Sequence, residues 1–319
     1  MAISQRLQEL YGLPAFDFPE AGRELKRKLP DPDAVAWRVE VDSYDSDEAW
    51  EGAFARFLDM VDTTEVRALI VGAWSDAYDS GPDAIIAALL AARDRLPGLR
   101  ALFLGDITSE QCEISWIHQG AVTPLLEGFP QLHEFAVRGG TDLVFDPLRH
   151  EQLRSLTVET GGLPVAVVRG IGASDLPALE HLDIWLGTSW YGADSEVSDL
   201  APILSGARLP SLKRLALCNS DIQDEIAVAV AAAPVVARLE RLDLSMGTIG
   251  DVGAAALLSG QPLTHLTSLD LNHNYLSDAM RERLRQALEP AGVELDLDGS
   301  DADEDEDEDG VQRYTAVGE

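Results

Sequence analysis

Residues 239–251 read Leu239-Glu-Arg-Leu-Asp-Leu-Ser-Met-Gly-Thr-Ile-Gly-Asp251, and the same pattern returns 27 residues later in residues 266–278. An earlier copy, residues 212–224, precedes the first by the same interval. A fixed period of this size is typical of a solenoid, in which one structural unit is stacked many times. The sequence therefore predicts a repeat architecture.

Each copy combines the signals of a strand and of a helix. Leu242 and Leu244 alternate with polar residues, which favours a strand with one buried side. Asp251 then precedes the alanine-rich run 252–258, which favours a helix. We expect Asp224, Asp251 and Asp278 to cap the helices that they precede, each contributing about 1 kcal/mol.

The pattern resembles the leucine-rich repeat, Leu-x-x-Leu-x-Leu-x-x-Asn-x-Leu, in its longer ribonuclease-inhibitor-like form. Residues 266–276 match it fully, with Asn274 at the asparagine position, where other units carry Gly161, Ser220 and Gly247. The resemblance implies an α/β horseshoe, with parallel strands on the concave face and helices outside. In overall character the chain resembles bacterial leucine-rich repeat proteins, for which the resemblance implies no activity.

Three segments follow from this pattern. We predict an N-terminal cap over residues 1–34, a leucine-rich repeat domain of about ten strand units over 35–298, and a disordered acidic tail over 299–319, where eight acidic residues fall within 301–309. The strand units are indexed by a central apolar residue: Val39, Leu69, Leu102, Phe135, Leu156, Leu182, Leu215, Leu242, Leu269 and Leu295. Outer helices are predicted at 46–61, 80–95, 119–128, 196–206, 221–236, 250–259 and 277–289.

Composition limits the classes of partner. The formal net charge is −32, which disfavours nucleic acids and anionic membranes because both repel a negative surface. No apolar leader is apparent at the N-terminus, and two cysteines make no disulfide framework. We therefore expect a monomeric cytoplasmic protein, and the excess of arginine over lysine suggests a bacterial source.

Catalytic signals are weak. Gly170-Ile-Gly172 lacks the third glycine of a dinucleotide-binding loop, and the histidines include no closely spaced pair. We predict a protein that is not an enzyme and that carries no cofactor or metal.

The concave face is the predicted binding surface. Strand alternation places the residue after each central apolar position on this face. Towards the N-terminus these residues include Ile70 and Phe103, which predict an apolar patch. Towards the C-terminus they predict an acidic column with two neighbouring arginines: Asp183, Asp243, Asp270 and Asp296, beside Arg214 and Arg241. This set suits a basic, partly hydrophobic protein partner, although the same aspartates are also frequent in this repeat family for structural reasons.

An insertion at residues 187–198 lengthens one unit. It brings Trp190 and Tyr191 close to Trp185, and inserted loops of solenoids often lie on a binding rim. The alternative is that these rings fill the space that the insertion opens.

The sequence thus predicts a non-enzymatic scaffold that binds a partner protein through its concave face and the aromatic loop. A horseshoe followed by an acidic tail is also similar in architecture to Ran GTPase-activating proteins, which leaves a GTPase-activating regulator as one alternative. An acidic chaperone for basic proteins is another.

Overall fold

The computed structural model describes residues 5–22, 28–44, 47–307 and 310–318. Parts of three predicted segments, the cap 1–34, the helix 46–61 and the tail 299–319, therefore fall outside the described residues.

The repeating apolar phrases form one continuous sheet of twelve strands arranged in chain order. Every neighbouring pair is parallel except the first. The strands are β1 Glu9–Leu10, β2 Leu13–Asp17, β3 Ala36–Val39, β4 Ala68–Val71, β5 Ala101–Leu104, β6 Glu134–Arg138, β7 Ser155–Glu159, β8 His181–Gly187, β9 Arg214–Ser220, β10 Arg241–Asp243, β11 Ser268–Asp270 and β12 Glu294–Asp296. A separate hairpin follows, with β13 at Glu304–Asp307 and β14 at Gly310–Arg313.

Helical segments connect most of the parallel strands, whereas residues 139–154 between β6 and β7 contain no helix. The α-helices are α1 Trp50–Met60, α2 Asp83–Ala91, α3 Thr123–Gly128, α4 Val165–Ala173, α5 Ala201–Ser205, α6 Gln223–Val230, α7 Asp251–Ser259 and α8 Asp278–Leu288. Short 3-10 helices lie at Arg93–Arg95, Ile114–Trp116, Ser189–Tyr191, Val197–Leu200, Pro234–Arg238 and Glu289–Ala291. The predicted helices all coincide with helical segments, whereas α4 was not predicted, because Gly170 and Gly172 weaken its helical signal.

Strand register follows the repeat. Leu242 pairs with Leu215 on one side and with Leu269 on the other, and Leu269 pairs with Leu295. Nine of the ten predicted central residues align in this way, but Val39 does not: Trp37 pairs with Leu69. Trp37 and Val39 both point into the core, and alternation alone does not distinguish two positions that are two residues apart.

Among the described residues, the main apolar cluster runs the length of the solenoid, and two smaller clusters lie beside it. Leu215, Leu242 and Leu269 are at most 1% exposed, and burying one leucine side chain contributes about 1.5–3 kcal/mol. Because each leucine packs against the equivalent leucine of the next unit, neighbouring units stabilise one another.

The predicted helix caps are wrong in detail: Asp224 and Asp251 connect neighbouring units instead, and Asp278 is exposed beside Arg281 of its own helix. Asp224 Oδ1 accepts hydrogen bonds from the backbone N–H groups of Gly250 and Gly253, at 2.8 and 2.9 Å. Asp251 in turn accepts bonds from the N–H and hydroxyl of Ser277, at 2.8 and 2.7 Å. Each carboxylate thus holds the start of the following helix, and the 27-residue spacing reflects contacts between units.

The N-terminal segment folds back against the sheet. Tyr11 and Gly12 have φ angles of 59° and 70°, as a type I′ turn requires, and they connect β1 to β2. β2 then continues the parallel sheet next to β3. The predicted cap therefore contributes strands, and it also packs Leu7, Leu10 and Leu13 against the apolar part of the concave face.

The C-terminal segment is structured where sequence analysis predicted disorder. β13 and β14 pair as an antiparallel hairpin, and Arg313 lies 3.7 Å from Glu304 across it. Beyond the hairpin, Ala316 and Val317 are 5% and 3% exposed. The acidic composition predicted an unpacked tail, but this short apolar pair anchors it to the solenoid.

Candidate protein-binding surface

A row of aspartates follows the concave face from strand to strand. Asp243 of β10 pairs in register with Asp270 of β11, which pairs with Asp296 of β12. On the other side of Asp243 lies Ala216 of β9, and beyond it Asp183 of β8. The structure thus brings together the four predicted aspartates, with one small residue interrupting the row.

Three of these carboxylates have a structural contact as well. Oδ1 of Asp243, Asp270 and Asp296 accepts a hydrogen bond from the backbone N–H two residues further on, at 2.9, 2.9 and 3.1 Å. Their strands are only three residues long, so the carboxylate satisfies a backbone group where the chain leaves the sheet. Oδ1 is therefore used within the fold at these three positions.

Asp183 is different because its strand, β8, continues to Gly187. Its Oδ1 is buried and has no hydrogen-bond partner among the described residues. Burial, followed by the charges of Asp243 and Glu159, raises the pKa of Asp183 to about 8. The Trp185 side chain hydrogen-bonds to this carboxyl group and acts in the opposite direction, but Oδ1 lacks the partner that a buried polar atom normally has.

Electrostatic repulsion also acts along the row. Burial is the largest cause that raises the pKa of Asp270 to about 6, and the charges of Asp243 and Asp296 act in the same direction. Each of these carboxyl groups would be stabilised in its charged form by an incoming cation.

The small side chain of Ala216 leaves a pocket in this row, which we call the Ala216 pocket. Its volume is about 280 Å³. Its lining combines the acidic row with residues from the position before each central leucine: His181, Asp183, Arg214, Leu215, Ala216, Arg241, Leu242, Asp243, Ser268 and Asp270. The pocket is large enough for a side chain of a partner.

The two predicted arginines lie beside the acidic row. Arg214 and Arg241 pair in register on β9 and β10, and both are exposed. His181 pairs with Arg214 on the other side, and burial together with the Arg214 charge lowers the pKa of His181. The C-terminal half of the concave face therefore carries a positive row next to a negative one.

The predicted apolar patch is corrected by the structure. Ile70 is fully buried and Phe103 is 2% exposed, because the chain's own Leu7, Leu10 and Leu13 pack against them. The 1–34 segment could not be placed over the sheet from its sequence, since its prolines indicate only where regular structure breaks. These two residues are therefore not available to a partner in this conformation.

A buried ionic network lies next to this covered region, and sequence analysis did not predict it. Asp106 is fully buried and accepts a hydrogen bond from Arg38 at 2.8 Å, while Arg138 approaches it at 3.4 Å. Its carboxylate also accepts from the backbone N–H of Leu7, at 3.1 Å. Asp106 thus connects the N-terminal segment to β3 and β6.

The aromatic rim is divided between exposed and packed rings. Trp190 is 83% exposed, whereas Trp185 is half-buried against Ile114, Ala316 and Val317. Tyr191 and Trp190 line a cavity of about 470 Å³ between the inserted loop and residues 312–318. Of the three predicted aromatic residues, Trp190 is the one most open to a partner.

Within the part of the chain that the structure describes, no three histidine, cysteine or acidic side chains are placed to hold a metal ion. Both cysteines are free and buried. Within the same residues, none of the helices combines the length and apolarity that crossing a bilayer requires.

A family profile and a solved structure agree with this geometry. The profile of the family described as "Leucine Rich repeat" matches residues 239–258 and 263–279. A crystal structure of a Bacteroides fragilis protein is 28% identical, with a TM-score of 0.73, and the match covers 79% of this chain and 70% of that one. An internalin from Listeria monocytogenes is 15% identical, with a TM-score of 0.42, and the match covers 82% of this chain and 61% of that one.

Among curated proteins, no significant match to this chain is found. The in-register leucines, the open parallel sheet and the family profile lead to the same conclusion. The chain folds as an α/β leucine-rich repeat solenoid and is similar to the Bacteroides fragilis protein.

Proposed function

We propose that this protein is a non-enzymatic scaffold that binds a partner protein through the C-terminal half of its concave face. Solenoids provide extended, preformed surfaces, so little conformational entropy is lost when a partner binds. The proposed surface consists of the Ala216 pocket, Asp296 and the exposed Trp190. The covered residues Ile70 and Phe103 are not part of it.

One observation supports a basic partner most strongly. Asp183 keeps a buried carboxyl oxygen without a hydrogen-bond partner at the edge of the Ala216 pocket, and Asp243 lies on the other side of Ala216. A lysine or arginine side chain that enters this pocket would pair with both carboxylates. Arg214 and Arg241 would repel a second cation, which favours a single basic side chain in a defined position.

The aromatic rim would provide the apolar part of the interface. An exposed tryptophan at the edge of a charged surface is a frequent centre of binding energy. Trp190 lies on the loop that follows β8, the strand that carries Asp183. One partner could therefore contact both features.

A recovery experiment from the source cell tests this proposal. The wild-type protein is compared with Asp243→Lys/Asp270→Lys/Trp190→Ala, and we expect the partners recovered by the wild type to be lost. The matched control is Glu225→Lys/Glu282→Lys/Val252→Ala, which makes the same two charge reversals and truncates one exposed apolar side chain on the outer helices α6, α8 and α7. Recovery of the same partners by the concave-face variant would refute the proposal.

The GTPase-activating and chaperone alternatives remain predictions from the sequence. Stimulation of GTP hydrolysis by the source cell's GTPases would support the first. Suppression of the aggregation of basic proteins would support the second.

A further inference from the structure

Three residues with unusual backbone angles recur at or just beyond the ends of strands. Asn219, Met246 and His273 are spaced by 27 residues and have φ angles of 56°, 66° and 52°. For a residue other than glycine the left-handed region costs about 1–2 kcal/mol. Such strain persists where the surroundings hold it, and it often marks ligand contacts.

All three residues contact the same segment, residues 314–318. The side-chain amide of Asn219 accepts from the backbone N–H of Val317 at 2.9 Å and donates to its C=O at 2.6 Å. The carbonyl of Met246 accepts from the N–H of Ala316 at 2.8 Å. His273 Nε2 donates to the carbonyl of Tyr314 at 2.9 Å. Consecutive repeats thus bind consecutive parts of one main chain.

Asn219 is the central residue of this arrangement. It is fully buried, and both ends of its amide are used by one residue of the bound segment. A buried amide that pairs with a main-chain N–H and C=O recognises a peptide backbone whatever its sequence. The neighbouring Ser115 adds a contact, because its hydroxyl donates to the carbonyl of Gly318.

Apolar contacts give the site side-chain selectivity. Ala316 and Val317 are buried with Ile114, and Trp185 and Met246 pack against them. Gly161 lies below the end of the segment, where a Cβ atom would come within 2.6 Å of the carbonyl oxygen of Gly318. The site therefore fits a small apolar pair followed by glycine, and a larger residue at 161 would block the segment.

We propose that this groove, formed by Ile114, Trp185, Asn219, Met246 and His273 and here called the rim groove, is a peptide-binding site. The chain's own residues 314–318 occupy it, and an extended segment of a partner with a small apolar pair followed by glycine replaces them. The rim groove lies at the strand ends, whereas the Ala216 pocket lies on the strands themselves. It is a second binding site in addition to the proposed concave surface.

Tethering makes this site selective for strong competitors. The effective concentration of a segment joined by a short linker is on the order of millimolar. A free peptide must therefore have a dissociation constant well below the millimolar range before it displaces residues 314–318. Releasing the segment by mutation should increase the apparent affinity for added peptide by about tenfold or more.

A peptide-binding experiment with the full-length chain tests the proposal. The probe is a fluorescein-labelled synthetic peptide of residues 310–318, Gly-Val-Gln-Arg-Tyr-Thr-Ala-Val-Gly, and binding is followed by fluorescence anisotropy. Val317→Asp places a charge among apolar residues and should release the segment in the protein. We expect this variant to bind the probe about tenfold more tightly than the wild type does.

Two controls make the result specific. A probe with aspartate at the position of Val317 should not bind. The double variant Val317→Asp/Asn219→Gly should bind the original probe about tenfold more weakly than Val317→Asp does, because glycine keeps the φ angle but removes both amide contacts. Hydrogen exchange of residues 314–318 checks that Val317→Asp releases the segment.

Several results would overturn the proposal. Equal binding of the probe by the wild type and Val317→Asp would do so, as would binding that the Asn219→Gly change leaves unaltered. Continued protection of residues 314–318 in Val317→Asp would also contradict it, because Val317 would then not be what holds the segment.

Discussion

Replacing Asp183 by asparagine should stabilise the protein at alkaline pH. Burial and the charge of Asp243 raise the pKa of the Asp183 carboxyl group to about 8, from an ordinary value of 3.8. In the folded protein the group therefore keeps its proton over a pH range in which the unfolded chain has lost it. Asparagine has nearly the same shape and stays neutral at every pH.

The sign of the effect follows from proton binding. Between about pH 4 and pH 8 the folded state binds more protons than the unfolded state, so stability falls as the pH rises. A difference of about 4 pKa units corresponds to at most about 6 kcal/mol. The Ala216 pocket is open to solvent on one side, which reduces the free energy needed to ionise Asp183. We therefore expect the free energy of unfolding of Asp183→Asn to exceed that of the wild type by about 1–3 kcal/mol at about pH 8.5.

Urea unfolding measures this difference. The free energy of unfolding of the wild type and Asp183→Asn is determined at about pH 5 and about pH 8.5, and the gap should widen with pH. Glu282→Gln makes the same kind of change at an exposed position on α8 and should show no such widening. A gap that is independent of pH, or a wild type that is the more stable protein at alkaline pH, would refute the reasoning.

Three further predictions concern the fold, and all are measured by urea unfolding. Leu269→Ala should destabilise the protein by about 2–5 kcal/mol, because the side chain is fully buried between equivalent leucines; a loss below about 1 kcal/mol would contradict the stacked core. Asp251→Ala should cost about 1 kcal/mol by removing the bonds to Ser277, whereas Asp278→Ala, on a side chain fully open to solvent, should cost less than about 0.5 kcal/mol; equal losses would exclude a contact between units. Asp106→Ala should cost about 1–3 kcal/mol, since it removes the buried carboxylate that Arg38 and Arg138 share, although Asp17 and Glu159 still pair with them; a neutral effect would contradict the buried network.

Sequence periodicity predicted the solenoid because the period is itself a structural contact. Leu215, Leu242 and Leu269 recur at one interval, and the same interval places them on adjacent strands. Alternation along each strand then identified Asp243 and Asp270 as neighbours on the concave face. These inferences needed only the repeat length and the geometry of a strand.

Contacts between distant parts of the chain were beyond this reasoning. Nothing in the sequence near Leu10 indicates that it covers Ile70 and Phe103, because that packing depends on a type I′ turn and a fold-back. Likewise, composition predicted disorder for residues 299–319, although two small apolar residues, Ala316 and Val317, are enough to anchor the end of the segment. The left-handed positions Asn219, Met246 and His273 were visible in the sequence only as a shared 27-residue spacing.

The most direct test of the account is whether consecutive repeats place their equivalent residues on adjacent strands. Adjacent strands lie about 4.8 Å apart, so methyl-labelled leucines should show nuclear Overhauser effects between Leu242 and each of Leu215 and Leu269. No such effect should join Leu215 to Leu269, which lie two strands apart. Absence of the first two contacts, or a strong direct contact between Leu215 and Leu269, would contradict the stacked solenoid and, with it, the acidic surface that depends on it.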